Sequence, residues 1–167
     1  LMGRLRRSIE EMKLAQNTVI IFVGDNGTGG RGKNTVTELG VRVPFIVWGP
    51  GWVHPREEAA GALGDLTDIM PTLADLSGTK LPENDIFDGK SMMPLLRGET
   101  VRHRDWIYSF LEDGRILRDD RWLLEIPGKG QPERFFECGR SRNGKGYKQI
   151  TPAENAEARS ARERFAG

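Results

Sequence analysis

The chain has 167 residues, 25 Lys and Arg against 24 Asp and Glu, and a formal net charge of +1. Charge so balanced excludes a general electrostatic pull toward nucleic acid or an anionic membrane, and a 37% apolar fraction places the chain among ordinary globular proteins. A single cysteine, Cys138, excludes an intrachain disulfide framework and a CxxC metal site, and no stretch approaches the roughly 20 apolar residues of a membrane helix.

Leu1, Leu5, Ile9 and Met12 recur at helical spacing, with Arg4, Arg6, Arg7, Glu10, Glu11 and Lys13 on the other faces. This predicts an amphipathic helix whose basic residues form a solvated face. The opening shows no leader pattern and reads as an interior stretch of a longer chain. Thr18 to Val23 is short, continuous and β-branched, as expected of a strand apolar on both faces in the middle of a parallel sheet. It stops at Gly24-Asp25-Asn26-Gly27. A glycine-rich loop follows to Gly40, then a second apolar strand over Val43 to Trp48, ended by Gly49-Pro50-Gly51.

Asp65 to Leu76 predicts a helix with Asp68 as N-cap, Pro71 in its first turn, and Ile69, Met70, Leu73 and Leu76 as the buried stripe. Gly78 stands where a C-terminal cap belongs. Met93 to Leu96 reads as a short helical turn. Beyond Gly98 the pattern changes to short strands, Asp105 to Phe110 and then Arg115 to Ile126, with Asp119-Asp120 as a hairpin turn. Residues 127–132 and 139–152 read as loop, and Ala153 to Phe165 as helix. Trp48, Trp106 and Trp122 are expected in the core, and Trp52 beside a pocket.

The chemistry-bearing feature is Asp25-Asn26-Gly27 at a strand's carboxyl end, where ligands collect in open α/β sheets. Asp and Asn side by side offer a charged and a neutral oxygen, the ligand type of Ca²⁺ or Mg²⁺, although two oxygens fall short of the roughly six to eight that Ca²⁺ takes. In isolation the tripeptide is also an ordinary turn. Lys33, in a glycine-bounded loop shortly after, suits an oxyanion: a compact positive charge with several donors. His54 and His103 are expected in surface or packing roles.

The order strand, Asp25-Asn26-Gly27, glycine loop, Gly32-Lys33-x-Thr35-x-x-Glu38-x-Gly40-x-Arg42-Val43-Pro44, strand resembles the downstream signature of the sulfatase family, within the alkaline-phosphatase superfamily. Asp65 to Gly78 resembles that family's DI-x-PT-L-x-D-L-x-G helix. Phe87 to Gly98 resembles its DG-x-S-x-x-P-L-L-x-G segment. The resemblance implies the C-terminal portion of an α/β protein: an alkaline-phosphatase-like, mainly parallel sheet with flanking helices over 1–98, a small antiparallel α+β subdomain over 99–152, and a helical tail over 153–167. It implies Asp25 and Asn26 as metal ligands, usually for Ca²⁺ (Mg²⁺ and Mn²⁺ being alternatives), and Lys33 as the sulfate-binding residue. Arg42 is expected to tie the loop down. Asn34 and Leu39 depart from glycines frequent in the family.

The family's nucleophile is a formylglycine made from Cys or Ser in a C/S-x-P/A-x-R motif, which the resemblance places upstream of this chain. Cys138-Gly-Arg-Ser-Arg142 nearly fits that motif but has Arg140 in place of the small residue, and is read as a decoy. The expectation is therefore a sulfuric ester hydrolase whose isolated segment is inactive. It would act on a sulfate ester with no nucleic acid or membrane partner, and would meet either the missing N-terminal half or another copy of itself. A sulfatase parent would be periplasmic, secreted or lysosomal. The alternatives are a phosphatase or phosphonate hydrolase of the same superfamily, or a non-catalytic binding module.

Overall fold

The computed structural model describes residues 1–55, 61–99, 102–139, 141 and 144–166. It divides into two compact units. One comprises Leu1–Gly24 and Pro44–His103, the other Asp25–Val43 and Arg104–Gly167.

The first unit holds helix α1 (Met2–Glu11) and strands β1 (Ile20–Val23) and β2 (Phe45–Trp48). β1 pairs β2 antiparallel, with Ile20 opposite Trp48 and Phe22 opposite Ile46. This corrects the expectation of a parallel arrangement for these strands. A parallel pair needs a crossover of a dozen or more residues, usually helical. The intervening segment contains just one four-residue helix, α2 (Glu38–Val41). Nor is β1 covered on both faces: Phe22 and Ile46 are 41% and 59% exposed. Along α1, Ile9 alone is buried, while Leu1, Leu5 and Met12 stay exposed. An apolar groove lined by Met2, Ile20, Phe22, Ile46 and Trp48 lies between helix and sheet.

Later in this unit comes a 3-10 turn (Leu66–Asp68) that runs into α3 (Ile69–Ser77), followed by α4 (Met93–Leu96). Asp68 holds the N-cap position of α3 as expected but makes no side-chain capping bond there, and the capping bonds belong to Asp65 at the start of the 3-10 turn. Its carboxylate accepts from the Thr67 amide at 2.9 Å, and its own N–H donates to Asp68 Oδ2 at 2.9 Å, a reciprocal capping box. The expected apolar stripe is also corrected, because Met70 and Leu73 are exposed and the helix buries Pro71 and Thr72 instead. The reason is polar. Thr72 Oγ1 accepts from the Met92 amide at 2.9 Å, and Asp68 accepts from the Lys90 amide at 2.8 Å. Gly78 ends the helix with φ of 68°, the left-handed cap the sequence calls for.

The second unit is built on a five-stranded antiparallel sheet in the order β3 (Trp106–Leu111), β4 (Gly114–Asp119), β5 (Trp122–Ile126), β6 (Arg134–Glu137), β7 (Lys148–Gln149). The hairpin at Asp119-Asp120 is present, with Arg118 opposite Leu123. Sequence reading missed β6, and it assigned β7 to loop. One sheet face is closed by helix α5 (Ala156–Arg164), whose Ala158 and Ala161 pack on Trp122, Leu124 and Phe135. The other packs Ile116, Leu123 and Cys138 against Val36. β5 is thus covered on both sides, and Leu123 and Leu124 are essentially fully buried. Trp122 is in the core as expected. Trp106, on edge strand β3, is 57% exposed, against expectation.

Candidate functional site

Asp25, Asn26 and Lys33 belong to one segment, Asp25–Val43, of the second unit. Three glycines without side chains make its fold possible. The Gly27 amide donates to the Gly40 carbonyl at 2.8 Å and closes the loop. A Cβ at Gly27 or at Gly32 would lie 2.0 Å from the Leu39 carbonyl oxygen, and one at Gly40 would lie 2.1 Å from that of Thr35. These are close backbone approaches, a use of glycine distinct from positive φ. The amides of Gly32 and Lys33 both reach the Thr28 carbonyl, at 3.0 and 3.2 Å, and Thr35 Oγ1 donates to the Gly32 carbonyl at 2.8 Å. Lys33 therefore leaves a tight turn whose backbone is tied on both sides.

Asp25 and Asn26 are exposed, and the Asn26 amide nitrogen donates to Asp25 Oδ2 at 2.6 Å. That bond uses the N–H side of the amide, so Asn26 Oδ1 keeps its acceptor capacity. The pair is chemically fit to give two oxygens to a hard cation. Further ligands must come from other groups, because among the described residues no cluster of three or more His, Cys, Asp or Glu is placed to hold one. The Lys33 side chain is exposed and takes part in none of the ion pairs among the described residues.

The two departures have physical accounts. Asn34 adopts φ of 64°, the left-handed region in which Asn is the best tolerated residue after glycine. Leu39 is 60% exposed, so its side chain is accommodated toward solvent.

Arg42 ties the loop as expected, with Nε 2.9 Å from Glu38 Oε1. His103 has a packing role, its Nε2 2.9 Å from Asp68 Oδ2 with both side chains buried, while His54 lies at the surface. Cys138 is buried, and burial pushes its thiol up to about 11, against a weaker pull from Arg118. A protonated, inaccessible sulfur is no nucleophile. Two other members of that decoy motif, Arg140 and Arg142, lie outside the described residues.

Sequence reasoning missed the polar contacts under the loop, those of Glu38 with Tyr147 and of Glu125 with the Glu38 amide. A signal existed. Arg118 shares a strand face with buried Ile116, and a charge at an inward position implies a partner.

A family model described as Sulfatase matches residues 1–79. An arylsulfatase of Hemicentrotus pulcherrimus is 31% identical over 159 residues, covering 78% of this chain and 28% of that protein. Over these residues the chain resembles the sulfatase family. A steryl-sulfatase of Mus musculus is 34% identical over 120 residues, covering 60% of the chain and 19% of the relative. This chain thus spans under a third of either relative. Among solved structures, a phosphonate monoester hydrolase of Silicibacter pomeroyi superposes with a TM-score of 0.71 at 25% identity, covering 99% of this chain and 37% of that one. A protein from work on glycosaminoglycan metabolism by Bacteroides thetaiotaomicron superposes with 0.74 at 22% identity, over 98% of this chain and 41% of its own, and shares the fold.

Proposed function

We propose that this chain supplies the metal-ligand pair and the sulfate-binding lysine of a sulfuric ester hydrolase. The observation that carries the reading is a single glycine-closed loop that bears Asp25 and Asn26 at its start and Lys33 at its turn. The Asp25 carboxylate and the Asn26 amide oxygen would hold a divalent cation, Ca²⁺ first and Mg²⁺ or Mn²⁺ as alternatives. Bound there, it would polarise the sulfate oxygens, and a formylglycine outside these 167 residues would provide the attacking oxygen. Lys33 would hold the anionic head by charge and by N–H donation, an interaction that strengthens as negative charge develops.

The expected parts are a downstream α/β portion to residue 98, an antiparallel subdomain to 152 and a helical tail. The partners are the sulfate ester and either the remainder of a sulfatase-length protein or a second copy, in a periplasmic, secreted or lysosomal setting. Among the described residues, no helix is long and apolar enough to cross a membrane.

The test is hydrolysis of 4-nitrophenyl sulfate by the full-length protein that contains this chain. Lys33→Ala and Asp25→Ala are each expected to lower kcat/KM by about a hundred-fold or more, and the 167-residue chain alone to be inert. Unchanged rates in both variants would remove the assignment. The likeness to a phosphonate monoester hydrolase favours one second reading, so a phenylphosphonate monoester belongs in the same assay. Faster turnover of that ester than of the sulfate would shift the assignment to it.

A further inference from the structure

The segment that carries Lys33 has no strand and just one four-residue helix of its own, so its order must come from what lies beneath it. Below it is a buried polar network on the sheet. The Glu38 carboxylate, 13% exposed, meets Arg42 Nε at 2.9 Å, the Tyr147 hydroxyl at 3.0 Å and an Arg118 nitrogen at 3.6 Å. The same Arg118 guanidinium donates to the Tyr147 oxygen, donates to the Ser141 carbonyl at 2.8 Å, and lies 5.0 Å from the Tyr147 ring centre. Glu125 on β5 accepts from the Glu38 amide at 2.8 Å and pairs with Arg134 at 2.8 Å.

We propose that Tyr147 is a positioning residue for Lys33: its hydroxyl, accepting from Arg118 and donating to Glu38, clasps the loop to the sheet, so that oxyanion binding depends on the segment around Tyr147. The clasp rests on the reading of Lys33 as the anion site. Physically, the hydroxyl bridges a buried cation and a largely buried anion, a role no other group plays among the described residues. Arg118 and Glu38 alone stand beyond hydrogen-bond distance. Without it each charge loses a partner in a water-poor setting, and the Thr35–Arg42 stretch is released to seek solvent. Glu38 begins α2, so its release frees Gly40, whose carbonyl closes the loop on Gly27. A flexible lysine ammonium then loses the fixed backbone from which it reaches the ligand.

The experiment uses the 167-residue chain, amide exchange, and inorganic sulfate as the probe, followed by NMR. It compares wild type, Tyr147→Phe, Lys33→Ala and the double variant. Tyr147→Phe is expected to speed exchange over Thr35–Arg42 by about ten-fold, the scale of one charge-assisted hydrogen bond, with Leu123 and Leu124 unchanged. It is expected to weaken sulfate several-fold in the wild-type background and not at all in Lys33→Ala, because it acts through Lys33. Arg118→Lys, which keeps the charge without the fork that reaches both Tyr147 and Ser141, should reproduce the pattern if Phe disturbs the core. Unaltered exchange in both variants, or a sulfate effect that persists without Lys33, overturns the clasp. Wild-type sulfate affinity that is indifferent to Lys33→Ala instead removes the anion site, and exchange alone then decides the clasp.

Discussion

Cys138 belongs to a buried cluster with Val36, Ile116 and Leu123, and burial holds its thiol up to about 11 from an ordinary 9.0. Tyr147 is pushed up to about 12 from 10.0 by burial, with Arg118 pulling the other way. In both cases the folded state binds the proton more tightly than the unfolded chain. Their stabilisation is therefore complete below about pH 9 and is lost as pH rises, first through 9 to 11 for Cys138 and then through 10 to 12 for Tyr147. For Cys138 this amounts to ~2–3 kcal/mol. Urea midpoints measured from pH 7 to 11 should fall above pH 9 and fall less steeply in Cys138→Ala. At pH 8 a disulfide reagent should label the native thiol at least about a hundred-fold more slowly than the unfolded one. Asp68 is fully buried, and its carboxyl accepts from the Asp65 and Lys90 amides and lies 2.9 Å from His103 Nε2. Asp68→Ala orphans all three, and roughly 3 kcal/mol or more of stability should be lost in urea titrations. The sequence pointed to Asp68 as a helix cap. That the carboxylate bonds to Lys90 and His103, 22 and 35 residues away, is tertiary information that no local pattern carries.

At the scale of elements, legibility followed how local the cause was. The Asp119-Asp120 hairpin, the Gly78 cap and the helix at Met93–Leu96 depend on neighbours in sequence and were readable. β6 and β7 were not. Each is short, and each is held by pairing to the strand before it rather than by its own alternation. The stripe on α3 failed for another reason. Helical spacing marks which residues share a face, and here hydrogen bonds to Thr72 and Asp68 select the polar face for burial. In the Lys33 loop, composition announced a glycine-rich turn, while the reason for each glycine needed coordinates. Gly40→Ala tests that reason. Its Cβ would meet two backbone carbonyls at 2.1 and 2.6 Å, which no side-chain rotation relieves. The expected cost is about 1–3 kcal/mol in thermal unfolding, with exchange accelerated over the loop. Gly29→Ala, which meets nothing within 4 Å, should be near neutral in the same measurement.

For the whole molecule, the two units differ in how completely they are covered. The five-stranded sheet is closed on one face by α5 and on the other by the packing around Val36. The pair β1 and β2 leaves Phe22 and Ile46 exposed and has no further strand among the described residues, and a two-stranded sheet is marginal in water by itself. Phe22 and Ile46, directly opposite in register, present apolar surface beside Met2 on α1. The matched relatives are more than three times as long as the stretch shared with this chain, so in a sulfatase-length protein such a face has further polypeptide to meet. Isolated, the 167-residue chain should instead bury it against a second copy, since contiguous apolar surface of this kind drives association. Light scattering at increasing concentration should therefore show a rising mass, and Phe22→Glu with Ile46→Lys, a cross-strand charge pair at the same positions, should return the chain to a monomer without lowering its helix signal. A wild-type chain that stays monodisperse and monomeric at millimolar concentration would mean that this face is stable in water, and that its exposure implies no partner.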